Sequence, residues 1–248
     1  MKKLSVIISL LLCTQVFGAI THVANDVTGS CNSDIASTCA VSYTPTNTGD
    51  ELVVTGGMFV GVSGVTLTSI TDNASGGSSS YTCDFSGTTP LGTGVIAWVC
   101  RTCSVKASVT SVTATFSSFG VSHYPGIVIT EFTGQKSSAC LDQISTSATA
   151  TGTAVTTSAL TPAVTGELSI AFIVEITFAS SYAGTNGWTC VNKTDPNNNV
   201  TAQCWQIISG TSSTAATATG PNVTWAAYQA MYLPPASGPP PGQFPRVQ

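Results

Sequence analysis

Groups able to do acid–base, metal or nucleophilic chemistry are sparse in this chain. His22 and His123 are its only imidazoles. Neither has an Asp or Glu at triad or metal-binding spacing, so each reads as an ordinary strand or loop residue. No G-x-S-x-G, H-E-x-x-H or P-loop occurs, and Gly61-Val62-Ser63-Gly64 runs into Val65 where a nucleophile elbow needs glycine. Glu131 and Glu175 lie in apolar, strand-like runs. Converging across a sheet they would suit a glycosidase, whose two carboxyl groups stand about 5 to 10 Å apart. A buried, hydrogen-bonded structural role explains each equally well. Asp195 with Asn197, Asn198 and Asn199 offers oxygen ligands suited to calcium, although such a run more often marks an Asx-rich turn. The expectation is no catalytic residue, no metal and no cofactor.

Binding chemistry has two candidates. Trp188, Trp205 and Trp225, with Tyr182 and Tyr228, have the rings to stack on a sugar, although core packing is their commoner use. Trp188, beside Gly187, reads as loop-borne and exposed, and is the glycan-stacking candidate. Asn73, Asn192, Asn199 and Asn222 each head an Asn-x-Ser/Thr sequon, several of them in turns, which makes glycan attachment an expectation.

The start of the chain sets the compartment. Lys2 and Lys3 precede an apolar run from Leu4 to Val16, followed by the small residues Gly18 and Ala19. That is the pattern of a secretory signal peptide over residues 1–19, and the run is shorter than the ~20 residues a membrane span needs. A retained N-terminal helix, as in pilin filaments, is the minor alternative. Removing Cys13 with the leader leaves Cys31, Cys39, Cys83, Cys100, Cys103, Cys140, Cys190 and Cys204, an even set that an exported chain oxidises to disulfides. Local spacing pairs Cys31 with Cys39 and Cys190 with Cys204. Cys83 is left to Cys100 or Cys103, and Cys140 to whichever remains. Cys100-Arg101-Thr102-Cys103 is a CxxC, but no second CxxC or His pair follows at zinc spacing.

Charge excludes a further class of partner. Charged residues are 7% of the chain, with seven Lys and Arg in all and a net charge of −4. Each neutralised phosphate needs its own basic residue, so nucleic acid is not an expected partner.

The elements that must hold these residues read as β-strands throughout 20–233. Ser111, Thr113 and Thr115 alternate with Val112, Ala114 and Phe116, the pattern of a half-buried strand. Denser runs at Leu52-Val53-Val54, 126–129 and 168–174 suit central strands, with further strands at 20–27, 38–43, 65–71, 81–85, 94–101, 154–159, 200–208 and 223–233. Asx- and Gly-rich turns separate them. So many short strands predict an all-β fold: a two-sheet antiparallel β-sandwich, jelly-roll-like and disulfide-stapled, in one domain spanning 20–233. Residues 234–248, opening Pro234-Pro235-Ala236, form a proline-rich tail.

Several segments resemble a secreted bacterial surface module of jelly-roll-like β-sandwich type, known chiefly from metagenomes and often set beside immunoglobulin-like repeats. They include Gly49-Asp50-Glu51-Leu52-Val53-Val54, Val128-Ile129-Thr130-Glu131-Phe132-Thr133-Gly134, Gly166-Glu167-Leu168-Ser169-Ile170-Ala171 and Ala226-Ala227-Tyr228-Gln229-Ala230-Met231-Tyr232-Leu233. The resemblance spans the mature domain and implies a cell-surface or extracellular setting; the eight cysteines and the proline tail depart from it. Together these features predict a non-catalytic subunit of an extracellular filament or surface appendage, a homo-oligomer built by β-strand donation. The favoured donor is the mature N-terminus: Ala19, Ile20, Thr21, His22, Val23, Ala24 and on to Val27. An adhesin-like or carbohydrate-binding module is the alternative.

Overall fold

The computed structural model describes residues 19–31, 37–59, 64–92, 94–117, 125–175, 181–194 and 200–235. Residues 1–18 with Cys13, His123, the 195–199 run including Asn199, and the residues from 236 onward lie outside them. Every regular element described is a strand, and every pairing is antiparallel.

The first eight strands make the antiparallel sandwich. They are β1 (Thr21–Ser30), β2 (Thr38–Ser42), β3 (Glu51–Phe59), β4 (Leu67–Asp72), β5 (Thr82–Thr88), β6 (Val95–Thr102), β7 (Ser111–Phe116) and β8 (Gly126–Thr133). One sheet has the order β1-β8-β3-β6-β5 and faces a second of order β2-β7-β4. Strands that are distant in sequence thus lie side by side, in the interleaved order of a jelly roll. As the sequence predicts, β7 buries Val112, Ala114 and Phe116 and leaves Ser111, Thr113 and Thr115 half-buried on its other face.

The remaining strands are β9 (Leu141–Ile144), β10 (Ala148–Thr156), β11 (Leu168–Glu175), β12 (Ala183–Gly184), β13 (Thr189–Thr194), β14 (Val200–Ile207) and β15 (Thr217–Tyr232). They form a seven-stranded sheet of order β10-β15-β11-β14-β13, with β9 and β12 also on β15. This sheet packs on the free face of the five-stranded one. Leu52, Val54 and Met58 of β3 face the β2-β7-β4 layer, while Val53 joins Leu168, Ile170, Phe172 and Tyr228 in a second core. Being buried on both faces explains why β3 and β6 read as continuous apolar runs instead of alternating.

The second half repeats the first. Strands β11, β14, β13 and the end of β15 stand in the order of β3, β6, β5 and β8. Cys100 of β6 opposes Val54, and Cys204 of β14 opposes Ala171 at the equivalent position of β11. Thr48-Gly49-Asp50 before β3 matches Thr165-Gly166-Glu167 before β11, with both glycines at positive φ, +96° and +84°. Gly49 N donates to Val105 O (2.9 Å) and Val105 N to Asp50 O (2.8 Å), as Gly166 N does to Ile208 O (2.7 Å) and Ile208 N to Glu167 O (2.8 Å).

Candidate functional site

All four disulfides form in pairings the spacing allowed: Cys31–Cys39, Cys83–Cys100, Cys103–Cys140 and Cys190–Cys204. Cys83–Cys100 and Cys190–Cys204 join directly opposed residues of the β5/β6 and β13/β14 hairpins, the same place in each half. Cys103–Cys140 is different, because it ties the end of β6 to the segment that leads into the second half.

That third bridge lies beside a buried group of ionisable side chains. Glu51 is fully buried, and its Oε1 lies 3.6 Å from Cys140 Sγ. Arg101 Nη1 lies 3.0 Å from Cys103 Sγ. Arg101 Nε stands 3.0 Å from Asp84 Oδ2, an ion pair by distance although that N–H does not point at the oxygen. Tyr232 donates to Asp84 Oδ2 at 3.1 Å, and the guanidinium sits 5.7 Å from the centre of the Tyr232 ring. Burial pushes the Glu51 carboxyl up to about 8, with Arg101 partly opposing the shift. Burial also raises Asp84 and lifts the Tyr232 phenol well above its ordinary value. Sequence reasoning misses this group: Glu51 counts there only as part of a strand pattern, and Arg101 as a spacer in the CxxC. Its chemistry is that of a closed polar joint, a buried ion pair capped by a tyrosine and a neutral carboxyl, where both halves and a disulfide meet.

Glu131 and Glu175 are not brought together: Glu131 bonds Tyr43 and Thr46 on the β2-β7-β4 side of β8, whereas Glu175 bonds Tyr182 on the far face of the seven-stranded sheet. Glu131 accepts from Thr46 N (2.8 and 3.0 Å), Asn47 N (3.2 Å), Tyr43 Oη (2.9 Å) and Asn25 Nδ2 (3.4 Å). Burial works to raise its carboxyl, but the donors, led by Thr46 N, hold it below its ordinary value. Those bonds fasten the 44–48 turn to β8. Glu175 accepts from Tyr182 Oη at 2.8 Å on the outer face of the seven-stranded sheet.

His22 departs from the spacing argument. Four residues along a regular strand lie too far apart to touch, but β1 shifts register between Val23 and Val27, and Asp26 Oδ1 comes within 2.7 Å of His22 Nε2. The ring stacks on Trp205 at 4.4 Å and so joins edge strand β1 to the seven-stranded sheet. Among the described residues no group of three or more His, Cys, Asp or Glu could hold a metal ion.

Trp188 corrects an expectation. The turn at Gly187 is present, at φ +88°, but the indole is 5% exposed and packs with Tyr182, Ala218 and Trp225. A glycine neighbour marks the turn without fixing the side to which the next ring folds. Trp225 is buried too, and Tyr228 stacks on Phe172 in the intersheet core at 4.8 Å. The rings form no exposed platform.

The sequons divide. Asn73 accepts from Thr110 N and Ser111 N and donates to Thr110 Oγ1 at 2.7 Å. Asn192 accepts from Tyr182 N and donates to Tyr182 O. Asn222 is exposed. The donor candidates 19–27 are not free: β1 pairs with β8 of its own chain, from Thr21 opposite Thr133 to Ser30 opposite Gly126. Strand donation would therefore begin from a strand already seated in cis. Compared with family models, with curated proteins and with solved structures, the chain matches none of them.

Proposed function

We propose that this chain is a non-catalytic structural subunit of an extracellular filament or surface appendage, and that copies join by exchanging β1. The observation that carries this reading is the seat of β1. Among the described residues it is an edge strand, joined through backbone pairs to β8 alone, and the same pairs can be made with the β8 of a neighbour. Exchange then needs no new interface, and open-ended exchange builds a fibre. Cys31–Cys39 fastens the end of β1 to β2, so the strand swings from that corner. Four staples, layered sheets and scarce charge suit a durable part outside the cell. Among the described residues, His22, Glu131 and Glu175 each bond a group that helps hold the fold: Asp26, the 44–48 turn and Tyr182.

The test locks β1 in cis. Thr21 and Thr133 are directly opposed at the end of the β1/β8 ladder. Thr21→Cys with Thr133→Cys, oxidised, is expected to remain a folded monomer at concentrations where the parent forms fibres under negative stain, and to assemble once that bridge is prevented from closing. Fibres from the fully locked protein would falsify strand exchange, and a parent that stays monomeric at every concentration would end the filament reading.

A further inference from the structure

Of the three sequon asparagines within the described residues, two have both ends of the carboxamide committed. Asn73 Oδ1 holds the amides of Thr110 and Ser111 and its Nδ2 binds Thr110 Oγ1, so a sugar on Nδ2 would displace the contacts that tie the β4 end to β7. Asn192 forms a closed two-bond pair with the Tyr182 backbone, and its sugar would have to occupy the place of that segment. Asn222 differs on each count. It is exposed, no side-chain hydrogen bond among the described residues involves it, and it lies where β15 breaks register with β10: Val223 opposes Gly152 and Thr219 opposes Ala154, leaving Gly220-Pro221-Asn222 as an unpaired bulge. Thr224, the hydroxyl of the sequon, is exposed as well and 2.7 Å from Thr151 Oγ1.

We propose that Asn222 is the site at which this chain carries an N-linked glycan. The proposal rests on the export reading, because the sugar donor is met only on the secretory route. In the transfer, Asn222 Nδ2 bonds to the anomeric carbon of a polyprenyl-diphosphate-linked oligosaccharide. The bond from that carbon to the diphosphate oxygen breaks, the amide gives up one proton, and the polyprenyl diphosphate leaves. The location also has a use. β10, the edge strand beside the bulge, is nine residues long, carries no charged side chain and is largely exposed, the kind of edge that pairs with a stray strand. A glycan at the register break shields it and leaves β1 as the exchanging element.

The full chain is secreted from a host that attaches N-glycans, once behind its own residues 1–19 and once behind the host's leader, and the folded product is analysed by intact mass and by glycosidase treatment with peptide mapping. Expected is one glycan mapped to Asn222, with its mass increment abolished by Asn222→Gln while secretion continues. Folded chain with no glycan on Asn222, or with one on Asn73 or Asn192, overturns the proposal. If only the host's leader delivers protein to the medium, the export reading fails while Asn222 is still scored.

Discussion

Burial holds the Glu51 carboxyl at about 8, against an ordinary value of 4.5 that applies once the chain unfolds. Between those two values the folded chain keeps a proton that the unfolded chain releases, so stability falls as pH rises through that window, by up to about 1.4 kcal/mol per pH unit from this group. Glu51→Gln keeps the shape and removes the titration. The variant should melt near the parent temperature at pH 5 and clearly above it at pH 8.5, as followed by circular dichroism. Parallel curves across that range would show that the carboxyl carries its charge inside the fold. Glu131 has the opposite sign. Its donors stabilise the charged form, so its contribution is present above 4.5 and fades as pH falls through the lowered folded value. Two carboxyls of the same chain therefore oppose each other, one strained by base and the other lost in acid.

Among the elements, the bridges differ in what they hold. Cys31–Cys39 closes a separation of eight residues, and Cys103–Cys140 one of thirty-seven. Loop-entropy reasoning gives about 2.5 kcal/mol for the first and about 4 kcal/mol for the second. Replacing Cys103 and Cys140 together by Ala should thus lower the urea midpoint more than replacing Cys31 and Cys39, and the reverse order would show that Glu51, Arg101 and Tyr232 hold the joint without the bridge. The strands themselves are largely legible, because a period of two and a turn-forming residue are local signals: β7 reads correctly face by face. Three kinds of feature are not. β9, β12 and β13 go unplaced: the first two span four and two residues, too short for any period, and Thr189–Thr194 has only Cys190 and Val191 as apolar residues, one on each face. The sequence places β10 at 154–159, but the strand runs from Ala148 to Thr156, since Ala and Thr alternate without an apolar face to fix the frame. The Glu51 joint depends on which sheet covers β3, and a strand buried on both faces gives no sign of its neighbours. Trp188 misleads for a related reason, as a turn is local and the direction a ring folds is not.

At the scale of the whole molecule, the internal repeat is invisible in the sequence because its two copies share strand order, a hairpin disulfide and a Thr-Gly-acid corner, with little other identity along the strands. What joins the copies is a core made by both. Val53, Val95, Ala97, Val99 and Phe132 of the five-stranded sheet meet Leu168, Ile170, Phe172, Val174 and Tyr228 of the seven-stranded one. Separating the halves would wet that entire interface, and burying even one such side chain is worth about 1.5 to 3 kcal/mol. The Glu51 and Arg101 groups would lose their covering layer as well. A fragment of residues 19–138, which contains the complete jelly roll but not its covering sheet, should therefore be soluble only as a loosely packed state that binds a hydrophobic dye and lacks a cooperative melting transition. The full chain should instead unfold in one transition when followed by both tryptophan fluorescence and backbone circular dichroism. A fragment that melted cooperatively would mean that the first half is a self-sufficient sandwich and that the intersheet core is an interface between two folded units. Exchange of β1 would then need to disturb only that first unit, and the locking bridge at Thr21 and Thr133 would have to block assembly without changing how residues 139–235 unfold.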